Sequence, residues 1–93
     1  MSTVTLKHIK RAREVIRDSV RHTPLIPSPS LSEIAGVDVH LKLETLQDIG
    51  AFKIRGATNK LASLSDEEKT RGVVAVSTGN HGRGVAAAAK KMG

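Results

Sequence analysis

An α/β fold, with parallel strands flanked by helices, is the class this 93-residue sequence predicts. Two observations predict it. Apolar and polar residues alternate through Val37, Val39, Leu41 and Leu43, the period of a half-buried strand, and a helix-length segment follows at Gly50–Leu64. Val73-Val74-Ala75-Val76 is instead a continuous apolar run, the pattern of a strand covered on both faces, and a second helical segment follows it. Strand, helix, strand, helix is the order of a parallel sheet with right-handed crossovers.

The elements follow in order. Leu6, Ile9, Ile16 and Val20 recur at helical spacing, so a first amphipathic helix is expected over Thr5–Arg21, stopping before Pro24. Thr23–Pro29, with all three prolines, reads as an extended link. Ser30-Leu31-Ser32-Glu33 has capping-box spacing and predicts a short helix ending near Gly36, where a left-handed cap suits glycine. After the strand at Val37–Leu43, the Gly50–Leu64 helix offers Phe52, Ala57, Leu61 and Leu64 for packing. Ser65-Asp66-Glu67-Glu68 repeats the capping-box spacing and starts a short turn that ends before Gly72. The last helix is expected over His81–Lys91, its Val85–Ala89 run allowing close approach to a sheet. Further strands would complete that sheet, so residues 1–93 read as one partial N-terminal segment.

Composition narrows the function classes. With 39% hydrophobic and 26% charged residues the chain has the make-up of a globular domain, and its core must come from Val, Leu, Ile and Ala because Phe52 is the sole aromatic. Cysteine is absent, which excludes disulfides and thiolate metal sites and fits a cytoplasmic location. No apolar run reaches the ~18 residues of a membrane span, and the N-terminus has no signal-peptide pattern. The net charge of +6 gathers at Lys7, Lys10, Arg11, Arg13, Arg17 and Arg21. These form the wet side of the first helix, and without stacking aromatics or a recognition motif they do not predict nucleic-acid binding. His8, His22 and His40 are scattered without metal-ligand spacing, so no metal is expected.

Two runs carry chemistry. Lys53 lies in Gly50-Ala51-Phe52-Lys53-Ile54-Arg55-Gly56-Ala57, at an expected helix start. An amine forms an imine only when neutral, and a helix start together with burial beside Phe52 and Ile54 would favour that form. Ser77-Thr78-Gly79-Asn80-His81-Gly82 joins an apolar run to a helix, where backbone N–H groups make an anion site for phosphate or carboxylate. Gly79, Gly82 and Gly84 give G-x-x-G-x-G, which is neither a dinucleotide fingerprint nor a P-loop. Taken singly, a surface lysine and a glycine-rich turn are the plainer readings.

Together the two runs resemble the pyridoxal-phosphate (PLP) enzymes of the threonine dehydratase and serine racemase family, from His22-Thr23-Pro24-Leu25 to Gly93. Phe52, Lys53, Arg55, Gly56 and Ala57 match the family's Ser-Phe-Lys-x-Arg-Gly-Ala segment, whose lysine carries the cofactor as an imine. Ala51 and Ile49 stand where serine and threonine are common. Ser77, Gly79, Asn80 and His81 match Ser-x-Gly-Asn-His. The resemblance implies that Asn80 hydrogen-bonds the cofactor's phenolic oxygen and that Ser77, Thr78, Gly79, Asn80 and His81 clamp the substrate carboxylate. Thr78 fills the position where dehydratases often carry alanine and serine racemases a proton-transferring serine. Glu44, in Lys42-Leu43-Glu44, matches a Lys-x-Glu strand end and reads as structural.

The implied fold is an N-terminal portion of the tryptophan-synthase-β-like architecture. The implied function is a PLP-dependent dehydratase, or ammonia-lyase, that converts a hydroxy amino acid such as threonine or serine to a 2-oxo acid and ammonia by β-elimination. Lys42–Gln47 and Ser77–Arg83 most resemble the hydroxyectoine-utilization branch, so a substrate of that pathway is a further expectation. A serine or threonine racemase is the alternative enzyme, and a non-catalytic truncated fragment or binding module the alternative of another class. The complete protein is expected to be a homo-oligomer acting on a small amino acid. The family's glycine-rich phosphate loop and pyridine-nitrogen partner have no counterpart in these residues, so the isolated chain is expected to be inactive and marginally stable.

Overall fold

Capping and glycine geometry set the element boundaries in the computed structural model, which describes residues 3–93. Helix α1 spans Leu6–Ile16 and starts at a capping box in which Thr5 Oγ1 accepts from the His8 N–H and His8 Nδ1 accepts from the Thr5 N–H. It stops short of the expected Arg21: residues 17–20 form turns, with the Ser19 and Val20 N–H groups donating to the Ile16 carbonyl. Only Ile16 of its apolar stripe is buried, while Leu6 and Ile9 stay exposed.

The proline-rich link contains a strand. β1 (Leu25–Pro27) pairs antiparallel with β2 (His40–Lys42) in the register Leu25↔Lys42, Ile26↔Leu41 and Pro27↔His40. The Leu43 N–H to the Pro24 carbonyl (3.0 Å) and the Ser28 N–H to the Val39 carbonyl (2.9 Å) extend the ladder at both ends. Between them lies α2 (Pro29–Ala35), with Ser28 as N-cap and Pro29 in the first turn, so it begins before the expected box at Ser30. Proline's fixed φ and missing N–H suit that first turn, which moves the start upstream. Gly36 closes α2 at φ 70°, as expected.

A 3₁₀ turn over Glu44–Leu46 leads to α3 (Lys53–Ala62), then α4 (Asp66–Arg71) and α5 (Asn80–Met92). α3 starts three residues later than expected because Gly50, at φ 74°, lies outside the helical region. The Ser65–Glu68 capping box forms as expected, and α4 ends at Gly72.

The core is a helix pair. Ile54, Ala57 and Leu61 of α3 pack with Ile49 and with Ala88 of α5, and Val85, Ala87 and Ala89 lie against the same cluster. The alanine run thus approaches α3 rather than a sheet. Ala88 is fully buried, so Ala88→Leu should overpack the contact and cost about 1–3 kcal/mol, read as a lower urea midpoint. An unchanged midpoint would mean the two helices do not meet at Ala88.

Val73–Val76 corrects the expectation of a buried parallel strand. The run is not a strand, and Val74 and Val76 are 97% and 96% exposed. A strand needs neighbours for its N–H and C=O groups, and among the described residues the one ladder is the antiparallel β1–β2 pair. No helix of the described residues is long and apolar enough to cross a membrane.

Candidate active site

Lys53 is the first residue of α3 and is exposed. At 3.6 residues per turn, residue 53 lies one turn before Ala57, at the edge of the face that buries Ile54, Ala57 and Leu61. The expected burial of Lys53 beside Phe52 and Ile54 is not met: Lys53 is exposed and Phe52 is 59% exposed, although Ile54 is buried. The Lys53 ammonium lies 5.2 Å from the centre of the Phe52 ring, within cation–π range. Among the described residues it takes no part in an ion pair.

The second run lies where expected, as an exposed link into α5. Gly79 is the N-cap residue, Asn80 and His81 open the helix, and the Gly79 N–H donates to Ser77 Oγ at 3.1 Å. Gly82 leaves room for that fold, since a Cβ there would sit 3.3 Å from the Ser77 Cβ. No side chain caps the start of α5, so its first N–H groups remain available to an anion. Lys53 and His81 line one cleft of about 460 Å³, walled by Ala57 and Leu61 on α3, Val74 and Val85. Ser77, Thr78, Gly79 and Asn80 border the link into α5 without lining that cleft.

A polar network, assembled from residues far apart in the chain, anchors the start of α3. Glu44 receives two bonds of 2.8 Å from Arg55, through Nε and NH2, and one of 2.5 Å from the Thr23 hydroxyl. Gln47 fills the space beside it: its Oε1 accepts from the Arg21 N–H (2.9 Å) and its Nε2 donates to the Arg21 carbonyl (2.8 Å). Thr23 and Gln47 are buried and fully engaged. The Arg55 guanidinium, helped by the Thr23 and Gln47 donors, holds the Glu44 carboxyl down at about 2 against burial, which acts the other way. Glu44 is thus structural, as its sequence position suggested, and Arg55 ties it to the helix that begins at Lys53. Thr23 and Gln47 gave no signal in spacing, being 21 and 3 residues from their shared partner.

Ile49 and Ala51, the positions where the resemblance led to an expectation of hydroxyls, serve the apolar cluster: Ile49 is buried in it and Ala51 packs against it.

Comparison with known proteins shows the family of the chain. The family model described as pyridoxal-phosphate dependent enzyme matches residues 16–93. An L-threonine ammonia-lyase of Thermotoga maritima is 52% identical over 90 residues, covering 97% of this chain and 22% of the relative. A serine racemase of Dictyostelium discoideum is 44% identical over 90 residues, covering 97% and 28%. The solved structure of maize serine racemase superposes with a TM-score of 0.85 at 40% identity, over 98% of this chain and 29% of that one. The chain therefore spans about a quarter of the length of the curated relatives it matches.

Proposed function

Because the chain belongs to the pyridoxal-phosphate dependent enzyme family, we propose that it carries the lysine and carboxylate-binding elements of a dehydratase that deaminates a hydroxy amino acid such as threonine or serine. Its fold is an N-terminal portion of the tryptophan-synthase-β-like α/β architecture, and the family's cofactor is PLP. The observation that carries the reading is the cleft itself: Lys53 at the start of α3 and His81 in the first turn of α5 line one space.

The residues suit such a cofactor. An aldehyde needs an amine unclaimed by a carboxylate, and Lys53 has no ion pair among the described residues. An amino-acid carboxylate needs donors close by, and the uncapped start of α5 supplies them. Lys53 and Asn80 would hold PLP, which supplies a sink for the negative charge that develops at the substrate's α-carbon. The Lys53 amine takes the α-proton. Donors from Ser77, Thr78, Gly79, Asn80 and His81 bind the carboxylate and orient the Cα–H bond towards that amine. Loss of the β-hydroxyl as water, followed by hydrolysis, yields ammonia and a 2-oxo acid.

The Lys42–Gln47 and Ser77–Arg83 runs support a place in the hydroxyectoine-utilization branch. A complete protein of this kind would be a cytoplasmic homo-oligomer. A serine or threonine racemase is the second reading, favoured by the Thr78 hydroxyl and by relatives named as racemases. It differs in needing a proton donor on the face opposite Lys53.

A chimaera tests both, with this chain replacing the matching 90 residues of the Thermotoga maritima enzyme. Borohydride reduction and peptide mapping should place the pyridoxyl group on Lys53; a label confined to Lys42 or Lys60 rejects the assignment. Thr78→Ala should cost one hydrogen bond, about 1 kcal/mol, raising KM roughly fivefold with elimination intact. Loss of α-hydrogen exchange in one enantiomer alone would instead select the racemase.

A further inference from the structure

Gly84 sits one turn beyond Asn80 in α5 and is buried where α5 crosses α3. A Cβ at this position would lie 3.2 Å from both the carbonyl carbon and the carbonyl oxygen of Lys53, and 3.4 Å from the Ile54 nitrogen. All three are backbone atoms of the first turn of α3, so none can swing aside as a long side chain would. The crowding is local: a Cβ at Gly56 or Gly79 would meet nothing within 4 Å. Gly84 is not at positive φ, so the approach of the two backbones, rather than conformational freedom, is what its missing side chain allows.

We propose that Gly84 is a positioning residue for Lys53, setting how closely the start of α5 seats on the start of α3. This rests on the reading of Lys53 as the cofactor lysine. The contact joins the two halves of the candidate site, because Lys53 opens one helix and the Ser77–His81 run opens the other. A methyl group at 84 pushes the two starts apart by a few tenths of an ångström. The Arg55–Glu44 bonds hold α3 to the rest of the chain, so the shift is taken up at Lys53 and α5. Placement errors of this order at a reacting group reduce its effectiveness severalfold.

The test uses the 93-residue chain with free pyridoxal 5'-phosphate as probe. Borohydride trapping and peptide mapping give the ratio of label at Lys53 to label at Lys7, an exposed lysine of α1. Amide shifts of Lys53 and Ile54 are read on the same ¹⁵N-labelled variants. Gly84→Ala should lower the ratio by about threefold or more and move both amides. Ala86→Gly, at an exposed position of α5, weakens the helix without adding an atom at the contact and should do neither. Unmoved amides in Gly84→Ala, or an equal loss in Ala86→Gly, overturns the proposal. A wild-type ratio near one would mean that the isolated chain does not select Lys53, and the amide shifts would then decide on Gly84 alone. If Gly84→Ala does not fold, the wild-type chain decides. A nuclear Overhauser effect between the Gly84 α-protons and the Ile54 amide supports the contact, and its absence overturns it.

Discussion

Lys53→Ala in the Thermotoga chimaera should reduce 2-oxo acid formation from threonine by ~100-fold or more, the usual contribution of a general base. The expectation follows from where α3 starts. Lys53 is the exposed first residue of a helix whose next residue is buried, so its side chain faces the cleft shared with His81 while its backbone is fixed by the core. Lys53→Arg should fail as completely. A guanidinium keeps the charge but holds its proton at any accessible pH, so it can neither form an imine nor accept the α-proton. Lys7→Ala, on the exposed face of α1, should leave the rate unchanged. Retention of a tenth of the activity by Lys53→Arg would show that the amine does not take the proton.

The second large effect is on stability. Glu44→Ala deprives Arg55 of its carboxylate and leaves the buried Thr23 and Gln47 groups short of a partner. The pair is only partly exposed, at 16% for Glu44 and 32% for Arg55, and its loss should cost about 2–3 kcal/mol in a urea melt at neutral pH. Arg55→Ala in the same background should add little, because the two changes remove one interaction. The effect depends on pH in a defined direction. The folded-state value of Glu44 is depressed from 4.5 to about 2, so the contribution is complete above pH ~4.5 and is lost as pH falls through about 2. Each tenfold change is ~1.4 kcal/mol; after allowance for solvent screening the depression is worth about 2–3 kcal/mol, in line with the substitution. A mutant deficit that stayed constant from pH 6 down to pH 2 would remove Glu44 as its source.

The features legible in the sequence are those in which residues close along the chain act on one another. The Ser65–Glu68 box, the glycine ends of α2 and α4, and the opening of α5 after Ser77–Gly79 all depend on bonds spanning a few residues. The places of Lys53 and the Ser77–His81 run at helix starts were legible for the same reason, since each run is contiguous. Where sequence reading failed, a local rule met a competing one. The spacing at Ser30 lost to Pro29 in the first turn, and the helical pattern from Gly50 yielded to a glycine at positive φ.

The sequence by itself determined that there are helices in these segments, the Ser65–Glu68 cap, the family and the amine on which the chemistry is proposed to rest. Only the tertiary structure decided that Thr23, Glu44, Gln47 and Arg55 form one network, that the proline-rich link pairs as β1, and that Gly84 meets the backbone of Lys53. It also decided that Val73–Val76 remains unpaired among the described residues. The reason is physical. A cap or a helical period is a short-range preference that each segment expresses alone. A ladder, a half-buried ion pair or a backbone crossing instead needs two distant segments brought to within about 3–4 Å, and no pattern within either one encodes the partner.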